Sequence, residues 1–142
     1  MATGRLRRVY LDTSAYLYLL LDEEAATDVR EAIEEADVLS SALLMLETNR
    51  NLVRLARERT LMAEHYNAAM ARVAADRERF VLRDLTLDLC DPHPLPAVAT
   101  PRSLDLVHLR TASWFHRLEP LHRFMTMDAA QRDAARELGL PV

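Results

Sequence analysis

Four acidic residues stand where they could do hydrolytic chemistry together: Asp12, Glu47, Asp105 and Asp128. Asp12 directly follows the β-type run ending in Val9-Tyr10-Leu11, and Asp128 ends the stretch Phe124-Met125-Thr126-Met127-Asp128. Glu47 falls in the helix-like stretch after Ser41, and Asp105 in the first turn of another that opens at Ser103. Carboxylates that converge repel one another unless a cation lies between them. A hard oxygen-ligand ion such as Mg²⁺ or Mn²⁺ suits such a donor set and keeps several of its waters. One of those waters, activated by the ion, can attack a phosphodiester. Each acid alone also has a plain structural reading. Asp12 and Asp128 can cap helices, Asp105 suits the positive end of a helix dipole, and Glu47 can be a solvated surface residue. Periodicity by itself does not tie the four together.

The elements that must position them alternate between strand and helix. Arg8 to Leu11 reads as a first strand, and helical spacing appears at Ala25, Ala26, Val29, Ala32, Ile33 and Ala36. Val38 to Ser40 reads as a second strand, with Ser41 placed to cap a long helix. A further helix is expected from about Leu61 to Ala75, a third strand at Phe80-Val81-Leu82, and a helix from Ser103 to Phe115. Phe124 to Thr126 reads as a strand and Ala129 to Leu138 as a helix, closed by Gly139 as a C-terminal glycine. Leu140 to Val142 is a candidate edge strand. Asp91 to Pro101 holds Pro92, Pro94, Pro96 and Pro101 and is expected to be an ordered surface loop. Strand–helix alternation implies a parallel sheet covered on both faces. Such sheets bind ligands at the carboxyl ends of their strands, which is where the acids collect.

Composition narrows the chemistry. With 142 residues, half of them apolar, the chain can bury about two-thirds of its surface. A single domain spanning 1–142 is the expectation. All 18 basic residues are arginine, which excludes the usual amine chemistry of Schiff bases and P-loops but suits phosphate recognition. The net charge of −4 argues against a general polyanion binder. Cys90 is the only cysteine, so no internal disulfide or cysteine-based zinc site is expected. Asp12 interrupts the early apolar stretch and Asp22-Glu23-Glu24 follows it, unlike a signal peptide. The expected location is the cytoplasm, with no membrane contact.

Local motifs tie the acids together. Val9-Tyr10-Leu11-Asp12-Thr13-Ser14-Ala15 resembles the opening of the PIN domains, notably the VapC-type toxin ribonucleases of toxin–antitoxin pairs. Ser40-Ser41-Ala42 with Glu47-Thr48-Asn49-Arg50 is similar to their second block. Ser103-Leu104-Asp105-Leu106-Val107-His108-Leu109-Arg110-Thr111-Ala112 resembles their Leu-Asp-x-x-His-Leu-x-x-Ala helix, and Phe124 to Asp128 their terminal Thr-x-Asp strand. The four blocks stand in family order from about Val9 to Val142. Three departures are visible: Leu106 and Ala129 replace a common alanine and a common basic residue, and Thr86 to Pro101 is proline-rich where relatives carry a helix.

The resemblance implies a PIN-like three-layer α/β/α sandwich, its short central parallel sheet flanked by helices. It implies a Mg²⁺- or Mn²⁺-dependent endoribonuclease that leaves a 5′-phosphate and a 3′-hydroxyl. Asp12, Glu47, Asp105 and Asp128 would form its acidic quartet, with Asp12 and Asp105 as direct metal ligands. Thr13, Ser14, Ser41 and Thr126 would orient carboxylates or meet a phosphate. A cognate antitoxin, with an extended or helical segment that crosses the acidic groove and inserts an arginine among the carboxylates, and a homodimer are the implied protein partners. Arg50, Arg54 and Arg57 recur on the Glu47 helix as a phosphate track or a solvated face, with Arg50 and Arg54 nearest as RNA contacts. His108, three residues after Asp105, is expected to be packed and hydrogen-bonded rather than a ligand. His93, His116 and His122 show no zinc-like spacing. Two alternatives remain beside the toxin: a PIN-fold binding module without nuclease activity, and a housekeeping RNA-processing nuclease.

Overall fold

The structure, a computed structural model, describes residues 4–21, 24–91, 97–99 and 102–142. The expected Asp22-Glu23 break, His93 and the four loop prolines lie outside the described residues. Strand β1 (Arg7–Leu11) leads directly into α1 (Thr13–Leu21). Next come α2 (Thr27–Ile33), β2 (Ala36–Ser41), α3 (Leu43–Arg57) and α4 (Ala63–Arg79). They are followed by β3 (Val81–Arg83), a short α5 (Leu87–Cys90), α6 (Ser103–Leu118), β4 (Arg123–Met125) and α7 (Ala129–Glu137).

The four strands form one parallel sheet in the order β3-β2-β1-β4. Alternation along β1 divides the core into two layers, because successive side chains leave a strand on opposite faces. Val9 and Leu11 pack with Val38, Leu44, Tyr16, Val29 and Phe80 on the α1–α4 side. Tyr10 and Phe124 pack with Leu109, Ala112, Phe115 and Ala135 on the α6–α7 side. The result is the expected α/β/α sandwich with a short central parallel sheet.

The structure departs most from the sequence reading at the end of α2, at α1 and at the C-terminus, each for an identifiable reason. The helical spacing from Ala25 to Ala36 shortens to α2, because Glu35 adopts a left-handed φ of 51° and turns the chain so that Ala36 opens β2. Helix α1 has almost no polar face: Ala15, Tyr16 and Leu19 face the core while α3 and α4 flank it, so no amphipathic period marks it. The C-terminal residues make no strand. Instead Pro141 accepts one backbone bond from Phe124 N at 2.6 Å beside β4. Gly139, at φ 80°, ends α7 as expected, with Leu140 N bonded to Ala135 O and Gly139 N to Arg136 O. His116 and His122 serve the turn between α6 and β4, their Nδ1 atoms accepting from Leu121 N and Arg8 N, each at 2.9 Å.

Candidate active site

Asp12 leaves β1 at its carboxyl end and opens α1. Its Oδ1 accepts from Ala15 N at 3.0 Å and from the Ser14 hydroxyl at 2.7 Å. The capping reading therefore holds, and it does not compete with a site role: the cap fixes a carboxylate that is 3 % exposed and still reaches a cleft. Ser14 Oγ lies 3.1 Å from Thr126 Oγ1 and accepts from Met127 N at 2.9 Å, which links the ends of β1 and β4. Asp128 caps α7, its Oδ1 accepting from Ala130 N at 2.8 Å and Gln131 N at 3.2 Å.

Glu47 is held from two sides. The Thr13 hydroxyl donates to its Oε1 at 2.7 Å, and His108 Nε2 lies 2.9 Å from the same oxygen. His108 is 2 % exposed, and its Nδ1 meets the Tyr10 hydroxyl at 2.8 Å. The tautomer protonated on Nε2 satisfies both ends, since a carboxylate only accepts and the tyrosine hydroxyl can donate. His108 is thus the packed, hydrogen-bonded residue that its spacing suggested, acting as a strut between the sheet and Glu47.

The four acids line one cleft of about 370 Å³ at the carboxyl end of the sheet, together with Thr13, Ser14, Leu17, Asn51, Arg102 and His108. A larger cavity of about 600 Å³ lies elsewhere, between the end of α1 and α4, with walls that include Leu19, Leu20, Leu21 and Leu61. Size favours that cavity, but the smaller one is where the carboxylates converge, which makes it the candidate site.

Burial and mutual repulsion both act on the acids of the cleft. Burial raises the pKa of Asp12, against hydrogen bonds from Thr126 and Ser14 that favour its charge. Burial raises Asp105 as well, and the charges of Asp128 and Asp12 push it further in the same direction. Burial would also raise Glu47, yet the hydrogen bonds from His108 and Thr13 outweigh it and leave its pKa lowered. Among the described residues no three His, Cys, Asp or Glu side chains are drawn into a ready-made metal cluster. An all-carboxylate set around a cleft of this size fits Mg²⁺ nonetheless, because that ion needs only one or two direct carboxylates and keeps its waters.

Not every candidate from the sequence reaches the cleft. Thr126 acts from behind, on Asp12 and on Asp128 N, whose N–H it accepts at 3.1 Å. Ser41 is fully buried and its Oγ accepts from Leu43 N at 3.1 Å, so it shapes the start of α3 and cannot meet an RNA phosphate. Arg54 pairs with Glu58 at 3.2 Å and with Asn51 at 3.3 Å, beside the cleft, while Arg50 is exposed on the same helix. Arg102 and Asn51 were not singled out from the sequence. Arg102 stands immediately before the Ser103 block, and Asn51 lies one turn after Glu47 on α3, the spacing that puts two residues on one helix face.

The sequence matches the PIN domain family over residues 9–142, so the chain belongs to the PIN domain family. Over 137 residues it is 30 % identical to ribonuclease VapC35 of Mycobacterium tuberculosis, in both strain CDC 1551 / Oshkosh and strain H37Rv. That similarity covers 94 % of this chain and 94 % of the relative. No helix among the described residues is long and apolar enough to cross a membrane.

Proposed function

We propose that this protein is a divalent-metal-dependent endoribonuclease, the toxin of a toxin–antitoxin pair, working as a single PIN-like domain over residues 1–142. The observation that carries this reading is the gathering of Asp12, Glu47, Asp105 and Asp128 around one cleft. Asp12 and Asp105 would hold the ion, and Asp128 and Glu47 would act through its waters. A bound Mg²⁺ or Mn²⁺ would supply a Lewis acid that activates water and stabilises charge on the phosphate.

The chain's own groups do the rest. Ser14 and Thr126 fix the Asp12 carboxylate, while Thr13 and His108 fix Glu47, so both acids are oriented before substrate arrives. Arg102, which lines the cleft and whose positive charge is felt at Asp105, would meet an RNA phosphate there, with Arg50 and Arg54 as outer contacts. The proposal extends to a cognate antitoxin, a homodimer and a cytoplasmic location, for which the support is the likeness to VapC35.

The test is cleavage of total cellular RNA with Mg²⁺, with EDTA, and by Asp12→Asn. Discrete fragments with 5′-phosphate ends, lost on chelation and in the variant, are expected. RNA left equally intact by wild type and variant, after removal of any bound antitoxin, would favour a binding module of the same fold.

A further inference from the structure

Gln131 is fully buried at the first turn of α7, and its side chain is not spent on its own helix. Its Nε2 donates to the backbone carbonyl of Asp105 at 2.9 Å, across to the first turn of α6. Because a carbonyl only accepts, the amide nitrogen must be the atom that faces it. Its backbone N–H is held in turn by Asp128 Oδ1 at 3.2 Å. One residue therefore joins the two helix starts that carry Asp105 and Asp128. Its Oε1 is buried with no protein partner among the described residues. Methionine, of similar shape, would leave no such oxygen, so the amide is not explained by packing.

The link opposes a specific force. The charges of Asp128 and Asp12 both bear on Asp105, and mutual repulsion favours moving the first turn of α6 away from the cleft. We infer that Gln131 is a positioning residue that clamps the first turn of α6 to α7 and so holds Asp105 in the cleft for a cation. The clamp stands on the hydrogen bond alone, and its consequence for the cation rests on the metal-dependent reading given above.

Two readouts on intact protein separate the clamp from that reading. In EDTA, amide hydrogen exchange at Leu106 to Leu109 should quicken about tenfold in Gln131→Met, with Ser113 to Leu118 unchanged. Mn²⁺ affinity, measured by calorimetry, should weaken about tenfold, as for other residues that support metal ligands. Gln131→Asn keeps the amide but falls one methylene short, and it should behave alike should the methionine variant fold poorly. Unchanged exchange in the first turn of α6 would overturn the inference. So would faster exchange spread evenly along α6 with Mn²⁺ affinity intact, the pattern of general loosening. If wild type bound no Mn²⁺, the metal reading would fall, and the exchange pattern alone would decide for or against the clamp.

Discussion

Asp12 and Asp76 are the two acids buried almost completely among the described residues, at 3 % and 1 % exposure, and both are tied to α1. Asp76, on α4, accepts from the Tyr16 hydroxyl at 2.8 Å and from Arg72 Nε at 2.8 Å, with Arg79 3.9 Å from its other oxygen. Its charge is answered by arginines one turn away on its own helix, and its work is to fasten α4 to α1. Asp12, at the head of α1, is met by a hydroxyl and a backbone N–H, and acids stand beyond them in the cleft. A buried carboxylate with its cation built in is a fastening. One whose neighbours are acids has no such partner built in, and on the proposed reading its cation would arrive from outside.

Removing each charge sharpens the contrast. Asp12→Asn should lower the cleavage rate about a thousandfold or more, as loss of a group central to transition-state stabilisation does. The fold should survive, because asparagine keeps an oxygen for the Ala15 cap and relieves repulsion. Asp76→Ala should instead cost about 2 to 3 kcal/mol of stability in a denaturant titration, since it leaves the Tyr16 hydroxyl without its acceptor. Cleavage below the unfolding transition should be nearly unchanged.

Stability against pH separates the two regions next. Asp12 and Asp105 bind a proton more tightly folded than unfolded, because burial and neighbouring acids raise their pKa values. Their contribution to metal-free stability therefore grows as pH falls from neutral through those raised values, and is lost as pH rises. Glu47 has the opposite sign: its lowered pKa gives stability present above the ordinary glutamate value and lost as pH falls through the folded one. Denaturant titrations in EDTA from roughly pH 4 to pH 7 should show Asp12→Asn removing part of the first slope.

The smallest expected effect concerns cations. Arg102→Gln should raise KM for RNA about tenfold, the worth of one charge-assisted contact to phosphate. Arg54→Gln should change KM only a few-fold, because Arg54 stands outside the cleft that Arg102 lines. Steady-state cleavage of one defined fragment, with salt held constant, compares them.

What was legible in the sequence was what is local. A carboxylate directly after a β-type run, as at Leu11-Asp12, places itself at the carboxyl end of a parallel sheet without knowledge of the packing. The acids of α3 and α6 were legible by helical position, and family motifs then drew them together. Helix α1 was not legible as amphipathic because Thr13 to Leu21 is apolar almost all round, and the end of α2 turns on a single left-handed residue, Glu35. The bridge from Gln131 to Asp105 spans 26 positions and depends on how α6 and α7 meet. The same holds for the strut from Tyr10 through His108 to Glu47. Ser41, by contrast, carried the right side chain in the right block and still points its oxygen at Leu43 N.

The most direct measurement takes wild type, Asp12→Asn and Asp76→Ala through the same two assays, RNA cleavage with Mg²⁺ or EDTA and denaturant unfolding. Asp12→Asn should unfold no more easily than wild type but leave RNA intact, as wild type should in EDTA. Asp76→Ala should unfold at lower denaturant yet cleave at the same sites. Cleavage by Asp12→Asn at the wild-type rate, or cleavage that persists in EDTA, would contradict a metal-holding role for Asp12.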